Sequence, residues 1–493
     1  MMAAGELTRG SLEEAERQLA LAARQSGSVP AGRRGRFRVM LTVRRLSLAR
    51  QRGDLPAVAE EADRLLAAVE APDAVQFGLG EDLRALALIS LGRAEVFAAR
   101  QEDANRHLEQ GVALARRIGR PYLELLGLAH GAVVAAGRSW ALGEEQSRQA
   151  IELAERHGWG EDQAAGLAYG ELGAALSAQG RLEEAEPWLE RAGRTLRAEA
   201  DPAAALGLHF TRWALDTARG RHADALADMQ AAERLAGMLV TPHTLARPIR
   251  ARVLQTLLRL DQTERVEAAL AGLDEQESAS AEMRITLALL RLAQHDPQAA
   301  TTALAPVLDS SFPRVHPGGL VEAVLLEAIA RDALGDQAAA GRALERALDL
   351  AQTDRILLRF LTHPAPELLE RHARQATAHA ALIADILNLL ALGGRGGLGG
   401  KASPREQGGS GGDRPPGRTL REPLSQAELR VLRYLPTGLS VTEIAGQLYL
   451  SVNTIRTHMR HIYDKLDTHR RHEAVERARD LGLLAPSGRR PLN

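Results

Sequence analysis

Residues Leu424 to Leu484 read LSQAELRVLRYLPTGLSVTEIAGQLYLSVNTIRTHMRHIYDKLDTHRRHEAVERARDLGLL, and they carry four short helical patterns, three of them opened by serine. Ser425-Gln-Ala-Glu428 and Ser440-Val-Thr-Glu443 have capping-box form. In that form a hydroxyl oxygen accepts from an amide of the first turn, and a carboxylate three residues on reaches back to the serine amide. Ser451 opens the third pattern, with Thr454 in place of the acid. Gly438 stands between the first two patterns, where a left-handed helix end is expected. Leu448-Tyr-Leu450 supplies a tight turn between the second and third. Two short helices joined by such a turn make a helix-turn-helix.

The third pattern predicts a helix over residues 452–466 whose faces follow from angle. At about 100° per residue, Ile455, Met459, Ile462 and Leu466 share one narrow stripe, which must face a core. Asn453, Arg456, Thr457, Arg460 and His461 lie away from it. A helix start with two arginines beside an amide and a hydroxyl suits the major groove of double-stranded DNA. There arginine bonds guanine O6 and N7 in bidentate fashion while Asn and Thr read other edges. The plainer alternative is a solvated polar face on a small helical domain.

The whole stretch resembles the LuxR-type helix-turn-helix of bacterial transcription factors. The resemblance rests on Leu424-Ser425, Glu428, Val431-Leu432, Gly438-Leu439-Ser440, Glu443-Ile444-Ala445, Leu448, Ser451, Asn453 to Arg456, His458, Ile462, Lys465-Leu466, Arg471, Ala474-Val475 and Leu481 to Leu484. It implies base contacts from Arg456, Thr457 and Arg460, joined by Asn453 from the face assignment. It implies phosphate contacts from Thr442, Thr454, Lys465 and Arg471. Asp467 departs from the glycine usual after Lys465-Leu466, so an altered turn into the fourth helix is expected. Arg430 stands where glutamate is common. In the fourth helix Ala474, Val475, Ala478 and Leu481 form an apolar stripe, from which pairing of two chains on DNA is expected.

Charge is divided along the chain. The 493 residues carry a formal net charge of −1. From Leu424 onward, however, eleven Arg/Lys face seven Asp/Glu, and from Gly393 to Pro423 six face three. Residues 1–392 therefore sum to about −8, and the surface suited to a polyanion lies at the C-terminal end. With 45% apolar and 25% charged residues the composition is that of a globular protein, and the abundance of Ala, Leu, Arg and Glu favours helix. The absence of cysteine excludes disulfides and thiolate chemistry. The start has no signal-peptide pattern, and no apolar run approaches the roughly eighteen residues of a membrane span. These features point to the cytoplasm.

From Gly10 to about Leu350 one signal recurs: an apolar helix, a Gly- or Asp-containing turn, and a second helix with a small residue about five positions on. Its clearest instances are Gly10 with Ala15, Gly53 with Val58, Gly180 with Ala185, Gly220 with Ala225 and Gly335 with Ala340. Weaker turns lie near Gln101, Trp140, Asp261 and Asp296. A fixed period of helix pairs implies a solenoid, because one pair cannot bury its own apolar face. Tyr169 to Leu196 resembles a tetratricopeptide (TPR) repeat through Tyr169, Leu172, Gly173, Leu176, Ala185, Leu189 and Ala192. The period is nearer forty residues than the standard thirty-four, and Trp213 stands where a small residue is expected. The array is therefore TPR-like, and the fold class is all-α.

Seven of the fifteen aromatics fall between Tyr122 and Trp213, including all four tryptophans. Tyr122, Trp140, Trp159, Tyr169, Trp188 and Trp213 are candidates for a groove that takes a small-molecule or protein effector. Extra core volume between irregular repeats is the plainer alternative. Residues 393–423 contain eleven glycines and read as a flexible linker, its ends about 30 Å apart as a random coil. The division expected is thus repeats over 1–392, linker over 393–423, helix-turn-helix over 424–485 and a tail over 486–493.

Two superficial motifs fail. Gly399 to Ser403 lacks the first glycine and the magnesium-binding hydroxyl of a phosphate loop. His458 with His461 and His469 with His472 lack a convincing third ligand, so no metal is expected. No catalytic constellation or cofactor site is found. TPR-like repeats ahead of a LuxR-type domain resemble the C-terminal part of the large, MalT-like regulators, which place a nucleotide-binding module before their repeats. No such module is found here, and the opening Ser11–Gln25 reads as the second helix of a pair, as expected of a shortened relative or a fragment. The function expected is a DNA-binding transcriptional regulator, an activator controlled through its repeats. The alternative is a repeat scaffold for protein assembly with an auxiliary DNA-binding end.

Overall fold

The computed structural model describes residues 12–70, 80–98, 100–309, 317–375, 377–396, 424–432, 434–437, 439–448, 450–481 and 483–484. Those residues fold into helices, with no strand among them. Two compact units emerge. One holds the described residues of Met1–Leu215 and Ala223–Leu257, the other those of Asp216–His222 and Leu258–Asn493.

In the first unit, α1 (Leu12–Arg24) precedes a series of antiparallel pairs. These are α2 (Ala31–Gln51) with α3 (Leu55–Glu70), α4 (Gly80–Phe97) with α5 (Gln101–Arg117), and α6 (Pro121–Arg138) with α7 (Trp140–Arg156). Then come α8 (Gln163–Ala178) with α9 (Leu182–Thr195), α10 (Pro202–Ala218) with α11 (His222–Gly237), and α12 (Ala246–Arg259). The two helices of a pair have different jobs, and the sequence shows why. In the α8–α9 pair the first is enclosed on nearly all sides: every residue from Ala164 to Gly170 is buried, and these are mostly Ala and Gly. The second buries one stripe only. In α9 that stripe is Leu182, Ala185, Leu189 and Ala192, while Glu183, Glu184 and Glu190 face solvent. Close approach explains the small residues. A Cβ at Gly173 would stand 2.6 Å from Leu189 Cγ, and one at Gly92 would stand 2.7 Å from Leu108 Cγ in the α4–α5 pair. Any side chain there would push the pair apart.

The turns reveal what the weak sequence signals meant. Gly53, Gly180, Gly220 and Gly335 all take positive φ, which glycine adopts without the Cβ penalty. At the turns near Asp261 and Asp296 the same left-handed backbone is present, but Asp261 (φ 58°) and His295 (φ 59°) adopt it. The Asp296 amide donates to Arg291 O as the Arg181 amide does to Leu176 O. The geometry repeats where the glycine does not.

A plain solenoid has contacts only between neighbouring repeats. The first unit departs from that, because its later segments return to its first turns. The Arg93 guanidinium of α4 pairs with the Asp201 carboxylate, 2.6 Å away and 108 residues on, both buried. The Val240 amide donates to Arg52 O, Leu239 packs on Gly53, and the His243 ring lies 5.0 Å from Phe97.

The second unit continues with α13 (Thr263–Ala271), a single turn α14 (Glu275–Ser278), α15 (Ala281–Ala293) with α16 (Pro297–Leu308), and α17 (Pro317–Ala333) with α18 (Gln337–Gln352). Ile285, Leu304 and Leu326 centre a core shared by α15, α16 and α17. A break at Pro364 and Pro366 separates α19 (Leu358–Thr362) from α20 (Pro366–Ala373), where Pro366 opens the helix. Next, α21 (Ala380–Gly396) runs four residues beyond the boundary at 392. The stretch expected as linker otherwise lies outside the described residues, as do Gly438 and the tail. The unit ends in four short helices, α22 (Gln426–Leu432), α23 (Val441–Leu448), α24 (Val452–Leu466) and α25 (Arg471–Asp480). Among the described residues no helix is long and apolar enough to cross a membrane.

Candidate nucleic-acid interface

Hydroxyl caps set the three helix starts that place this surface. The Ser425 amide donates to Glu428 Oε2 (2.7 Å) while the Glu428 amide donates to Ser425 Oγ (3.2 Å). Ser440 and Glu443 repeat this reciprocal pair at 2.7 and 3.3 Å. At α24 the Thr454 amide donates to Ser451 Oγ (3.1 Å), and the two hydroxyls lie 2.7 Å apart. Ile455, Ile462 and Leu466 are buried in a core with Val431, Leu432, Ile444 and Ala445, and Met459 packs against its edge. That fixes the rotation of α24.

Opposite this stripe, Asn453, Arg456, Thr457 and Arg460 are exposed. Among the described residues neither Arg456 nor Arg460 has an intramolecular partner. Thr457 donates its hydroxyl proton to Asn453 O (3.0 Å), which leaves its oxygen lone pairs and methyl facing outward. One helix therefore presents two unpaired guanidinium forks, an amide and a hydroxyl oxygen over about two turns, a set of donors and acceptors that suits the base edges of a major groove. Thr442 is exposed at the start of α23, and half-buried Thr454 lies at the start of α24.

Two residues expected to contact phosphate make contacts inside the domain. Lys465 Nζ lies 3.0 Å from Glu428 Oε2, a carboxylate 5% exposed. Burial alone would push the Glu428 carboxyl up. The Ser425 amide and the Lys465 ammonium outweigh it and hold the group below the usual carboxylate range. Arg471 is committed further. Its Nε donates to Leu435 O (2.8 Å), Nη1 to Leu439 O (2.6 Å), and Nη2 to Tyr434 O (2.9 Å) and Thr437 O (2.7 Å). Four of its five N–H donors are thus spread over the carbonyls that follow α22. Nothing in the sequence distinguishes this clamp from a phosphate contact, because an arginine suits both.

Two further expectations are corrected. Asp467 does not alter the turn: it adopts the left-handed backbone itself (φ 54°, ψ 53°), and the Thr468 amide closes the helix onto Tyr463 O at 2.9 Å. The stripe of α25 is not left over for a partner chain. Ala474, Val475 and Ala478 are buried in the domain's own core, with Leu481 packed against it.

The aromatic candidates in the first unit meet in pairs. Tyr122 and Trp159 meet edge to face at 5.4 Å, Trp159 stacks on His157, and Tyr122 Oη donates to Asp162 Oδ1 (3.0 Å). Buried Tyr169 stacks beside Trp188 at 5.7 Å under the Arg191 guanidinium. Trp140 is half-buried at the start of α7. Trp213 is a core residue, 1% exposed. Its Nε1 donates to Thr256 Oγ1 (2.8 Å), and Arg252 lies over its ring. It fills volume where a small residue was expected and lines no surface.

Residues 41–375 match the model of the MalT-like TPR region. The chain belongs to that family. The MalT-like TPR region is followed at residues 422–478 by a match to the model of bacterial regulatory proteins of the luxR family, whose helix-turn-helix is a DNA-binding domain. The chain is 44% identical over 59 residues to the HTH-type transcriptional regulator MalT of Serratia proteamaculans (strain 568). That match spans 12% of this chain and 6% of the relative. Among solved structures, the apo form of the quorum sensor NprR from B. thuringiensis aligns at 15% identity and a TM-score of 0.46, over 71% of this chain and 96% of that one. The Cut9-Hcn1 hetero-tetramer of the APC/C aligns at 16% identity and a TM-score of 0.37, over 78% and 75%.

Proposed function

We propose that the protein is a DNA-binding transcriptional regulator, an activator, whose helix-turn-helix reads the major groove with α24 and whose repeats receive the controlling signal. The observation that carries this reading is the exposed Asn453, Arg456, Thr457 and Arg460 face, held outward by the buried Ile455, Ile462 and Leu466. Activation and control by an effector follow from the likeness to MalT-like regulators. The glycine-rich stretch before Leu424 acts as a tether in this reading. Signal then passes by bringing two chains together and raising the effective concentration of their DNA-binding ends.

One small domain makes few phosphate contacts, so tight binding needs two domains on half-sites about one DNA turn apart. The stripe of α25 being taken by the core, contact between two copies uses another surface. The experiment is selection of bound sequences from random duplexes by the full chain at moderate salt, followed by footprinting. Enrichment of two similar half-sites at one-turn spacing supports the reading. Salt-sensitive binding without sequence preference would favour a repeat scaffold with an auxiliary DNA-binding end.

A further inference from the structure

Inside the first unit, α2, α4 and α6 lie side by side as the first helices of successive pairs, and with Val58 of α3 they line a cavity of about 70 Å³. Most of its wall is aliphatic, with Leu46, Ile89 and Leu126 on three different helices. Its polar groups are Ser47, Arg50, Ser90, Arg93 and His130. Two of these are unsatisfied. His130 is 5% exposed, and its Nδ1 sits 2.8 Å from Leu126 O. A carbonyl only accepts, so Nδ1 carries the proton. Burial, and secondarily the Arg93 charge, hold the ring neutral by pushing its pKa down to about 4. The remaining Nε2 is a bare acceptor, buried and without a partner. On α2 the Arg50 Nε donor is likewise buried and unpartnered.

The charges around the cavity do not balance. Arg93 is matched by Asp201, which reaches it from the start of α10. Arg50 has no carboxylate partner among the described residues. A buried donor or acceptor left unmade costs about 1–3 kcal/mol, and native folds keep few of them. A water could satisfy His130 but would bring no negative charge to the half-buried Arg50. A sugar or a phosphate would waste the aliphatic wall, and a cation would meet two guanidinium groups.

We propose that this cavity binds a small aliphatic hydroxy-carboxylate. Its carboxylate pairs with Arg50, its hydroxyl donates to His130 Nε2, and its hydrocarbon lies against Leu46, Ile89 and Leu126. The assignment deepens the reading of the repeats as the receiving part of a regulator, and it puts the ligand at the inner helices rather than at the aromatic pairs. A carboxylate–guanidinium contact supplies charge-assisted binding, and the acceptor-only His130 Nε2 selects for the hydroxyl.

The test is calorimetric titration of the full chain with 2-hydroxypropanoate, small enough for a cavity of about 70 Å³, its methyl ester and propanoate. Saturable binding of the hydroxy acid is expected, at least about tenfold weaker for the ester, which lacks the charge, and for the acid that lacks the hydroxyl. Arg50→Met should weaken binding by a similar factor with an unchanged circular dichroism spectrum. Ser90→Leu, which fills the cavity from a half-buried position, should abolish it. No saturable binding by any of the three probes would overturn the assignment, as would equal affinity in a folded Arg50→Met chain. DNA affinity measured alongside separates the two readings. DNA binding without acid binding sinks this inference alone. Acid binding that leaves DNA affinity unchanged supports the site and sinks its regulatory role.

Discussion

At the scale of single residues, chemistry alone does not say whether a cation serves the fold or the ligand. Arg456, Arg460, Lys465 and Arg471 look equivalent in sequence, and only the first two face outward without a partner. Removing Arg471 would leave four backbone carbonyls without their donor. Arg471→Met should therefore destabilise the DNA-binding domain by about 2–4 kcal/mol, read as faster amide exchange over residues 431–448. Unchanged exchange would mean that the clamp is dispensable. Lys465→Met is similarly diagnostic. If the Glu428 pair is its main role, stability falls by about 1–3 kcal/mol and the salt dependence of DNA binding keeps its slope. A phosphate role would instead leave stability alone and flatten that slope by about one counterion. The ion pair also sets a pH window. The Glu428 carboxyl is depressed in the folded state, so its contribution is fully present above the ordinary value of 4.5 and is lost as pH falls through the lower folded value.

At the scale of elements, helices and their starts were legible, because capping boxes and hydrophobic stripes are local signals. Both serine–glutamate boxes close as the spacing requires, and the Ile455, Ile462 and Leu466 stripe faces the core. Turns were most legible where glycine marked them and gave weaker signals where it did not. Asp261 and His295 hold the left-handed backbone without it, so the repeat signal fades while the repeat persists, and Asp467 does the same at the end of α24. A non-glycine residue there bears a steric cost that glycine avoids, partly offset by glycine's greater freedom in the unfolded chain. Asp261→Gly and His295→Gly should each stabilise the chain by about 0.5–1 kcal/mol, seen as a higher urea midpoint. A lower midpoint would show that these side chains make compensating contacts. The aromatic-rich units were ambiguous for a related reason. Ring density flags both cores and grooves, and Trp213 became core through a hydrogen bond to Thr256, a partner 43 residues away that no local pattern announces.

At the scale of the molecule, what sequence could not supply was long-range closure. A repeat period says which neighbours stack, not that Asp201 returns to Arg93 or His243 to Phe97. Deleting one partner of that buried pair strands the other, so Asp201→Ala should cost about 3–5 kcal/mol in the first unit. Closure also buries two neutral histidines. Burial drives the pKa values of His130 and His243 down to about 4 from an ordinary 6.5, so the unfolded chain binds protons there first. Stability from each is full above pH 6.5 and lost as pH falls towards 4, on the order of 3 kcal/mol per histidine at most. Urea midpoints across that range should fall, and His243→Gln should flatten the decline. A wild-type midpoint that stays level would contradict the burial of these rings. The central claim remains that the outward face of α24 reads DNA, and the most direct test is competition anisotropy on the selected site against unrelated duplex. Arg456→Ala and Arg460→Ala should each lose about 1–3 kcal/mol of specific affinity, with non-specific binding, helix content and thermal midpoint nearly unchanged. An Arg456→Ala chain that binds the selected site as tightly as wild type would contradict the account.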